Sequence, residues 1–118
     1  MAADDLKIQQ KIYDMMKYAY PIMNQYPKSE KFTLVADIKK QMDILLERCI
    51  EAKKKYFKKS TLQEMDVANE KLMVYIRLSC DLHYISLHTY GVWSEKLVEI
   101  GKMIGGWLKS VNGQKSTS

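Results

Sequence analysis

Lys53-Lys54-Lys55-Tyr56-Phe57-Lys58-Lys59-Ser60 lies at the middle of the 118 residues and joins two long amphipathic halves. Residues 1–52 carry eight basic and eight acidic side chains, and residues 60–118 carry six of each. The formal net charge of +5 therefore resides in five residues that we call the lysine cluster, Lys53, Lys54, Lys55, Lys58 and Lys59. Such a local excess of charge attracts polyanions. A lysine run at a helix end also complements the helix dipole and keeps a turn solvated, so charge alone leaves both interpretations open.

Both halves have the composition of a helical domain. Only two prolines and five glycines interrupt the chain, and Leu, Met, Lys, Glu, Gln and Ala outnumber the β-branched residues. With 47% hydrophobic residues, the chain has enough apolar material for one core. The sequence therefore predicts a single all-α domain over residues 1–118.

Apolar residues recur at spacings of three and four along four segments, which is the pattern of amphipathic helices. We predict helices over about residues 5–26, 28–57, 61–82 and 87–111, with residues 112–118 as a flexible tail. The four predicted core stripes are Ile8, Ile12, Met15, Ala19, Ile22 and Tyr26; Val35, Ile38, Met42, Leu45, Cys49, Ala52 and Tyr56; Met65, Ala68, Leu72, Tyr75, Ser79 and Leu82; and Tyr90, Trp93, Leu97, Ile100, Ile104, Trp107 and Val111. Short connections between four helices predict an antiparallel up-down-up-down bundle.

Local signals mark the helix ends. Pro21 interrupts the first helix, and Pro27 favours a turn followed by a new helix. Ser60–Gln63 and Thr61–Glu64 both match the capping box, in which a hydroxyl and a Glu or Gln bind the free amide groups of the first turn. Ser86 is the expected N-cap of the fourth helix.

Two segments are apolar on more sides than one bundle seam requires. The first helix carries a second apolar row beside its core stripe, and residues 72–76 of the third helix are apolar all round. A monomer that exposed these residues would show an unusually large apolar patch. We therefore expect a homo-oligomer with Tyr13, Met16, Tyr20, Met73 and Ile76 partly between protomers.

Motifs for catalysis or metal binding are missing from the sequence. It has no Glu-x-x-His pair, Cys-x-x-Cys motif, phosphate-binding glycine loop or nucleophile elbow. His83 and His88 are five residues apart, which does not place them on one helix face as paired metal ligands. We expect neither an enzyme nor a bound metal or cofactor.

The two arginines stand near the middles of helices, where a planar guanidinium can hold a carboxylate. Arg77 lies one turn before Asp81, and we expect these two residues to form a structural ion pair. Arg48 is expected to form an ion pair within the bundle or between protomers.

No apolar run approaches the roughly 20 residues of a membrane span. Residues 1–5 lack the basic and then apolar pattern of a signal peptide. Cys49 and Cys80 fall within helical patterns, where a reduced thiol is the default. We expect a cytoplasmic protein that does not contact membranes.

Several segments, in this order and spacing, resemble a family of small four-helix bundles. The segments are Pro27–Leu34, Leu45–Glu47 with Ile50–Ala52, Ile76–Leu78 with Asp81–Leu82, and Ile100–Leu108. The family includes proteins encoded in intervening sequences of 23S ribosomal RNA genes and the accessory variability determinant (Avd) proteins of diversity-generating retroelements. The Gly105-Gly106-Trp107-Leu108 pattern before a short polar tail is most similar to the Avd branch.

The resemblance implies a non-catalytic accessory protein that binds nucleic acid and a reverse transcriptase, and so supports mutagenic copying of template RNA into cDNA. It also implies a barrel-like homopentamer with a basic surface. The alternative is an interaction scaffold of the ribosomal intervening-sequence branch, without an RNA role. An adjacent reverse transcriptase gene would favour the first interpretation, and an insertion in a ribosomal RNA gene would favour the second.

The lysine cluster is the predicted nucleic-acid-binding site. The nearest acid in sequence is Glu51, which cannot neutralise five lysines, so we expect their ammonium groups to stay largely unpaired. Lysine side chains contact phosphates through their charge and do not recognise the bases, so binding to RNA and DNA should be weakly sequence-specific. Phe57 can stack on a base if it is exposed, whereas Tyr56 continues the stripe of the second helix and is expected to face the core.

Overall fold

The computed structural model describes the backbone of residues 3–112 and the side chains of residues 7–112. It contains four α-helices, α1 (Ala3–Met23), α2 (Leu34–Lys54), α3 (Lys59–Asp81) and α4 (Leu87–Asn112), and a short 3-10 helix at Lys28–Glu30. No strand occurs in this part of the chain. The predicted all-α four-helix fold is confirmed, whereas the expected tail after residue 112 lies outside the described residues.

Each helix packs against two neighbours. α1 and α3 each approach both α2 and α4 to within 8 Å between Cα atoms, whereas over residues 3–112 neither α1 with α3 nor α2 with α4 comes that close. The four helices therefore surround one apolar core. None of the described helices combines the length and the hydropathy that crossing a bilayer requires.

The core is built from the apolar stripes. Burying a side chain the size of Leu contributes about 1.5–3 kcal/mol, so these stripes are the main source of stability. The largest side chains that are fully buried are Trp93, Ile8, Ile12, Met15, Ile38, Met42, Leu45, Leu62, Met65, Leu72, Ile76 and Leu97. The predicted stripes of α2 and α4 are confirmed as buried or half-buried, with one exception: Tyr56 is exposed. Leu82, the last member of the predicted α3 stripe, is exposed as well.

The helix ends differ from the predicted ones most clearly around α2. α1 continues past Pro21 but ends at Met23, and α2 begins at Leu34 instead of residue 28. Pro27, with φ −54° and ψ 142°, is followed by a single 3-10 turn and not by an α-helix. At its other end α2 stops at residue 54, because Lys55 takes the extended conformation with φ −87° and ψ 148°.

The start of α2 is capped by a glutamate that lies before the helix. The Glu30 carboxylate accepts hydrogen bonds from the Thr33 hydroxyl, from the Leu34 amide at 3.3 Å and from the Tyr84 hydroxyl at 2.8 Å. The bond from Tyr84 ties the connection between α1 and α2 to that between α3 and α4. Thr33, the residue at the N-cap position, makes no side-chain cap bond itself.

The connection between α3 and α4 contains a residue in the left-handed backbone conformation. His83 has φ 63°, the only positive φ among the described non-glycine residues. The amide of His83 donates to Cys80 O and that of Tyr84 donates to Ser79 O, both at 2.9 Å. This pair of bonds is the Schellman motif, which satisfies carbonyl groups at a helix end and usually places glycine where His83 stands.

The predicted caps of the last two helices have different outcomes. Ser86 caps α4 as predicted, since its Oγ accepts a hydrogen bond from the Thr89 amide at 3.1 Å. The capping boxes predicted at Ser60–Gln63 and Thr61–Glu64 are wrong, because α3 begins at Lys59 and places both hydroxyl residues inside the helix.

A buried amide side chain joins α3 to α4. Asn69 Nδ2 donates a hydrogen bond to Leu97 O at 2.9 Å. Gly101 lies one turn further along α4, and a Cβ added there would stand 3.2 Å from Asn69 Nδ2. At Gly105 an added Cβ would meet nothing within 4 Å. Of these two glycines, therefore, only Gly101 is needed for the close approach of α3.

Replacing Glu30 with Gln should remove part of the acid sensitivity of the fold. The hydrogen bonds from Thr33, Tyr84 and Leu34 hold the pKa of Glu30 below its ordinary value of 4.5. The carboxylate therefore stabilises the folded state above that value, and this stabilisation is lost as the pH falls through the lowered pKa.

Thermal unfolding of both proteins, followed by circular dichroism between about pH 7 and pH 3, should show a stability difference that shrinks towards zero in acid. Glu70→Gln is the control, since Glu70 is exposed and makes no hydrogen bond or ion pair with the described residues. A difference for Glu30→Gln that stays constant with pH would contradict a role for the carboxylate charge.

Candidate nucleic-acid interface

The lysine cluster occupies the junction between α2 and α3. Lys53 and Lys54 end α2, Lys55 and Lys58 belong to the connection that follows, and Lys59 begins α3. Lys54, Lys55 and Lys59 are exposed, and Lys53 and Lys58 are half-buried. The fold therefore concentrates the net positive charge at one short connection.

Lys58 has a structural role in this junction. Its Nζ donates hydrogen bonds to Ala52 O at 2.6 Å and to Lys55 O. Both carbonyl groups lie at the end of α2, where helical partners are lacking and the helix dipole is negative. Lys58 thus caps α2 and holds the connection against it, so its ammonium group is less available to a ligand than the others.

The other four lysines of the cluster have no carboxylate of the described residues to neutralise their charge. Lys53 donates to Gln9 Oε1 and Lys55 donates to Thr61 Oγ1 at 3.2 Å, and both acceptors are neutral. Lys54 and Lys59 form no hydrogen bond or ion pair with the part of the chain that the structure describes. No described carboxylate lies within 4.0 Å of any lysine of the cluster. Of the five ammonium groups that we expected to stay largely unpaired, those of Lys53, Lys55 and Lys58 therefore have hydrogen-bond partners, but none of these partners is acidic.

Arg48 binds the glutamates nearest to the cluster. Its guanidinium contacts Glu64 at 2.6 Å, Glu47 at 3.1 Å and Glu51 at 3.5 Å, which joins α2 to α3. The bond to Glu64 raises the pKa of Arg48 above its ordinary value, so the guanidinium is always charged. Because the glutamate side chains are 39–59% exposed, the ion pairs add little stability. They neutralise the glutamates that are nearest to the lysine cluster in sequence.

Two exposed aromatic rings stand in the connection itself. Tyr56 is 79% exposed and Phe57 is 74% exposed, so the prediction that Tyr56 faces the core is wrong. The helical spacing that suggested a buried position ends at Lys55, where the backbone becomes extended. The ring centroids lie 4.7 Å apart at an interplanar angle of 86°, an edge-to-face arrangement.

Other predicted site residues are not brought together. Arg77 and Asp81 are both exposed, and within residues 7–112 no ion pair joins them. The ion pair expected for Arg48 does form within the chain, with Glu47, Glu51 and Glu64. His83 and His88 are exposed, and the described residues contain no group of three or more His, Cys, Asp or Glu side chains placed to hold a metal.

The residues predicted to lie between protomers divide into three groups. Tyr13 and Tyr20 are exposed on α1, and Met16 and Met73 are half-buried. Ile76 is 0% exposed in the single chain, so its assignment to a protomer interface is wrong. The apolar residues that α3 exposes are instead Val67, Val74 and Leu78, which share one face of the helix, and the exposed Leu82 follows directly after its end.

The fold and the junction together define a small four-helix bundle with a lysine-rich connection. The model of the bAvd-like family matches residues 6–111, which is most of the chain. The chain therefore belongs to the bAvd-like family, and the resemblance to the Avd branch is confirmed. At the level of the family it is an Avd-type accessory protein. A comparison with curated proteins found no match.

Replacing Lys58 with Met should destabilise the protein by about 1 kcal/mol, because carbonyl groups at the end of α2 lose a charged donor. Lys54→Met and Lys59→Met are matched controls that remove the same charge without breaking a hydrogen bond to a described residue. Each control should change stability by less than about 0.5 kcal/mol in chemical denaturation. Equal losses in all three variants would show that Lys58 has no capping role.

Proposed function

We propose that this chain is a non-catalytic accessory protein of a diversity-generating retroelement. It binds RNA and DNA through the lysine cluster and binds the reverse transcriptase, and so supports mutagenic cDNA synthesis from template RNA in the cytoplasm. Membership of the bAvd-like family supports the accessory role. The observation that carries the nucleic-acid part is the lysine cluster without carboxylate partners among the described residues.

The chemistry of the cluster favours a nucleic-acid backbone as ligand. A phosphate chain presents closely spaced negative charges, and lysines that bind them release counterions, which makes affinity depend steeply on salt. Ammonium groups contact phosphates as point charges and do not distinguish bases. Weak sequence preference suits a protein that must act along a whole template.

We also propose an antiparallel bundle that assembles as a barrel-like homopentamer. Two contacts support the antiparallel course: Gln9 near the start of α1 meets Lys53 at the end of α2, and Glu30 before α2 meets Tyr84 after α3 at 2.8 Å. The start of α1, the lysine cluster and the end of α4 then share one pole. A ring of chains in one orientation would place every lysine cluster on one rim and strengthen its field.

The exposed apolar residues support assembly. α1 exposes two tyrosines, and α3 with its C-cap Leu82 exposes four aliphatic side chains, which together form more apolar surface than scattered single residues. The two sets lie on helices that stand diagonally in the bundle, with no Cα atoms within 8 Å of each other among the described residues. Two different surfaces can meet head to tail between copies, and such an interface closes into a ring when its rotation allows.

Changing Lys53, Lys54, Lys55 and Lys59 to Gln while keeping Lys58 should preserve folding and sharply weaken RNA and DNA binding. The slope of log K against log salt should flatten by roughly 0.7 for each phosphate of a single strand that the variant no longer neutralises. Fluorescence anisotropy with labelled strands at several salt concentrations measures both quantities.

A second quartet removes the same charge elsewhere and serves as the control: Lys28, Lys31, Lys40 and Lys71, which are all exposed, changed to Gln. This control should lose much less affinity than the cluster variant. If the cluster variant binds RNA as tightly as the parent and with the same salt slope, the connection is only a solvated turn, and the binding surface belongs to the lysines of α2 and α4.

Replacing Leu78 with Glu should break the oligomer, because it places a charge in the exposed apolar face of α3. Light scattering at micromolar concentration should give a multiple of the single-chain mass of 13.8 kDa for the parent and a smaller mass for the variant. Val98→Glu on α4 is the control and should assemble like the parent. A parent protein that scatters as a monomer would overturn the assembly proposal.

A further inference from the structure

Two exposed aromatic rings in the middle of a positively charged connection have no role in the core. Tyr56 and Phe57 are among the most exposed large apolar side chains of the described residues. We propose that this pair stacks on unpaired bases, so that the lysine cluster takes single-stranded nucleic acid in preference to duplex. The inference rests on the proposed function, since it specifies which form of nucleic acid the cluster binds.

The geometry of the pair leaves ring faces open to a ligand. With planes at 86° and centroids 4.7 Å apart, one ring directs its edge at a face of the other. The first ring then keeps both faces clear of its partner, and the second keeps one. Each ring therefore offers at least one flat surface, and a base stacked on an aromatic side chain strengthens binding by roughly tenfold.

The connection that carries the rings is held in place by its own lysines. Lys58 binds Ala52 O and Lys55 O, and Lys55 binds the Thr61 hydroxyl on α3. These bonds fix the backbone on both sides of the rings before a ligand arrives, which lowers the entropy lost on binding.

The cations that remain free flank the rings. Lys54 and Lys59 lie on either side of the ring pair in sequence and have no partner among the described residues. A single strand whose bases stack on the rings carries phosphates on both sides of those bases. The two lysines therefore match the flanking phosphates of a short unpaired strand, and the aromatic pair between them matches its bases.

Other ligands match this surface less well. Bases inside a duplex already stack on each other, so a duplex offers phosphates to the lysines and no open base faces along its length. A second copy of the chain would bring like charge to the cluster. An anionic membrane would match the charge, but the two rings stand in a four-residue connection and not on an amphipathic helix with a wide apolar face to lie in the lipid interface.

The test compares binding of an unstructured RNA strand and of a duplex with the same number of phosphates. Four proteins are used: the parent, the double variant Tyr56→Ala with Phe57→Ala, the double variant Tyr56→Leu with Phe57→Leu, and Phe32→Ala. Phe32 is the matched control, because it is 84% exposed with the Lys31 ammonium 5.4 Å from its ring centroid, yet lies in the connection at the other end of α2. Thermal midpoints should agree for all four, since no buried side chain changes.

The expected result is a loss of at least about tenfold in single-strand affinity for both double variants, with duplex affinity changed by less than about twofold. Phe32→Ala should bind both ligands like the parent. Leucine keeps apolar bulk but has no flat face, so a Leu variant that binds the single strand like the parent would overturn stacking. Equal losses for strand and duplex, or no loss at all, would overturn it as well.

Three further outcomes separate the stacking of bases from other roles of this surface. If the parent binds vesicles of phosphatidylserine and phosphatidylcholine more tightly than RNA, and the Leu variant retains that binding, the surface is a membrane contact and the inference fails. If the lysine quartet variant loses RNA binding while the aromatic variants do not, the proposed function survives and only the stacking role is wrong. If the quartet variant keeps its affinity, the proposed function itself fails.

Discussion

Burial of one apolar face from each of four helices is the constraint on which the rest of this molecule depends. The apolar stripes hold each helix against two neighbours, and their extent sets where α2 ends and where α3 begins. Only Lys55–Lys58 separate the two helices. The sequence already places the five lysines within seven residues, so they repel one another in the unfolded chain as well. The bend between the two packed helices sets how the lysines are arranged around the junction. The arrangement of the charges is thus a consequence of helix packing, although their proximity is not.

One arginine determines how strongly that junction presents its charge. Glu51 and Glu64 are the acids nearest in sequence to the lysine cluster on its two sides, and both are bound by Arg48. A guanidinium can serve several carboxylates because it offers five donors in one plane, whereas an ammonium group is a single point of charge. Arginine in the groove between helices and lysine at the helix ends therefore have different physical roles. The first neutralises acids at close range, and the second leaves positive charge accessible to solvent.

Sequence periodicity predicted the parts of the fold in which a helix has one apolar face, as in α2 and α4. It could not choose an inward side where a helix is apolar all round, so it missed that Ile76 is buried and Val74 exposed in α3. The position of Tyr56 was predicted wrongly because the backbone leaves the helix at Lys55, where the ammonium group of Lys58 in the same connection binds the carbonyls of Ala52 and Lys55. Glu30 was missed as a cap because its three partners meet only in the folded chain. The lysine cluster was found because counting charges requires no fold, whereas the contacts that divide its members into capping and free lysines come from three dimensions.

The hydrogen bond from Asn69 to the Leu97 carbonyl has a consequence for how α3 and α4 recognise each other. Aliphatic side chains of similar size exchange places easily, so an apolar seam tolerates a slide of one helix along the other by a full turn. Such a slide would take the amide away from its carbonyl and from the space above Gly101, and an unsatisfied buried donor costs about 1–3 kcal/mol. The bond adds little to the depth of the native minimum, but it raises the free energy of the neighbouring registers. A single buried amide therefore specifies the axial register of two helices whose apolar packing alone would leave it degenerate.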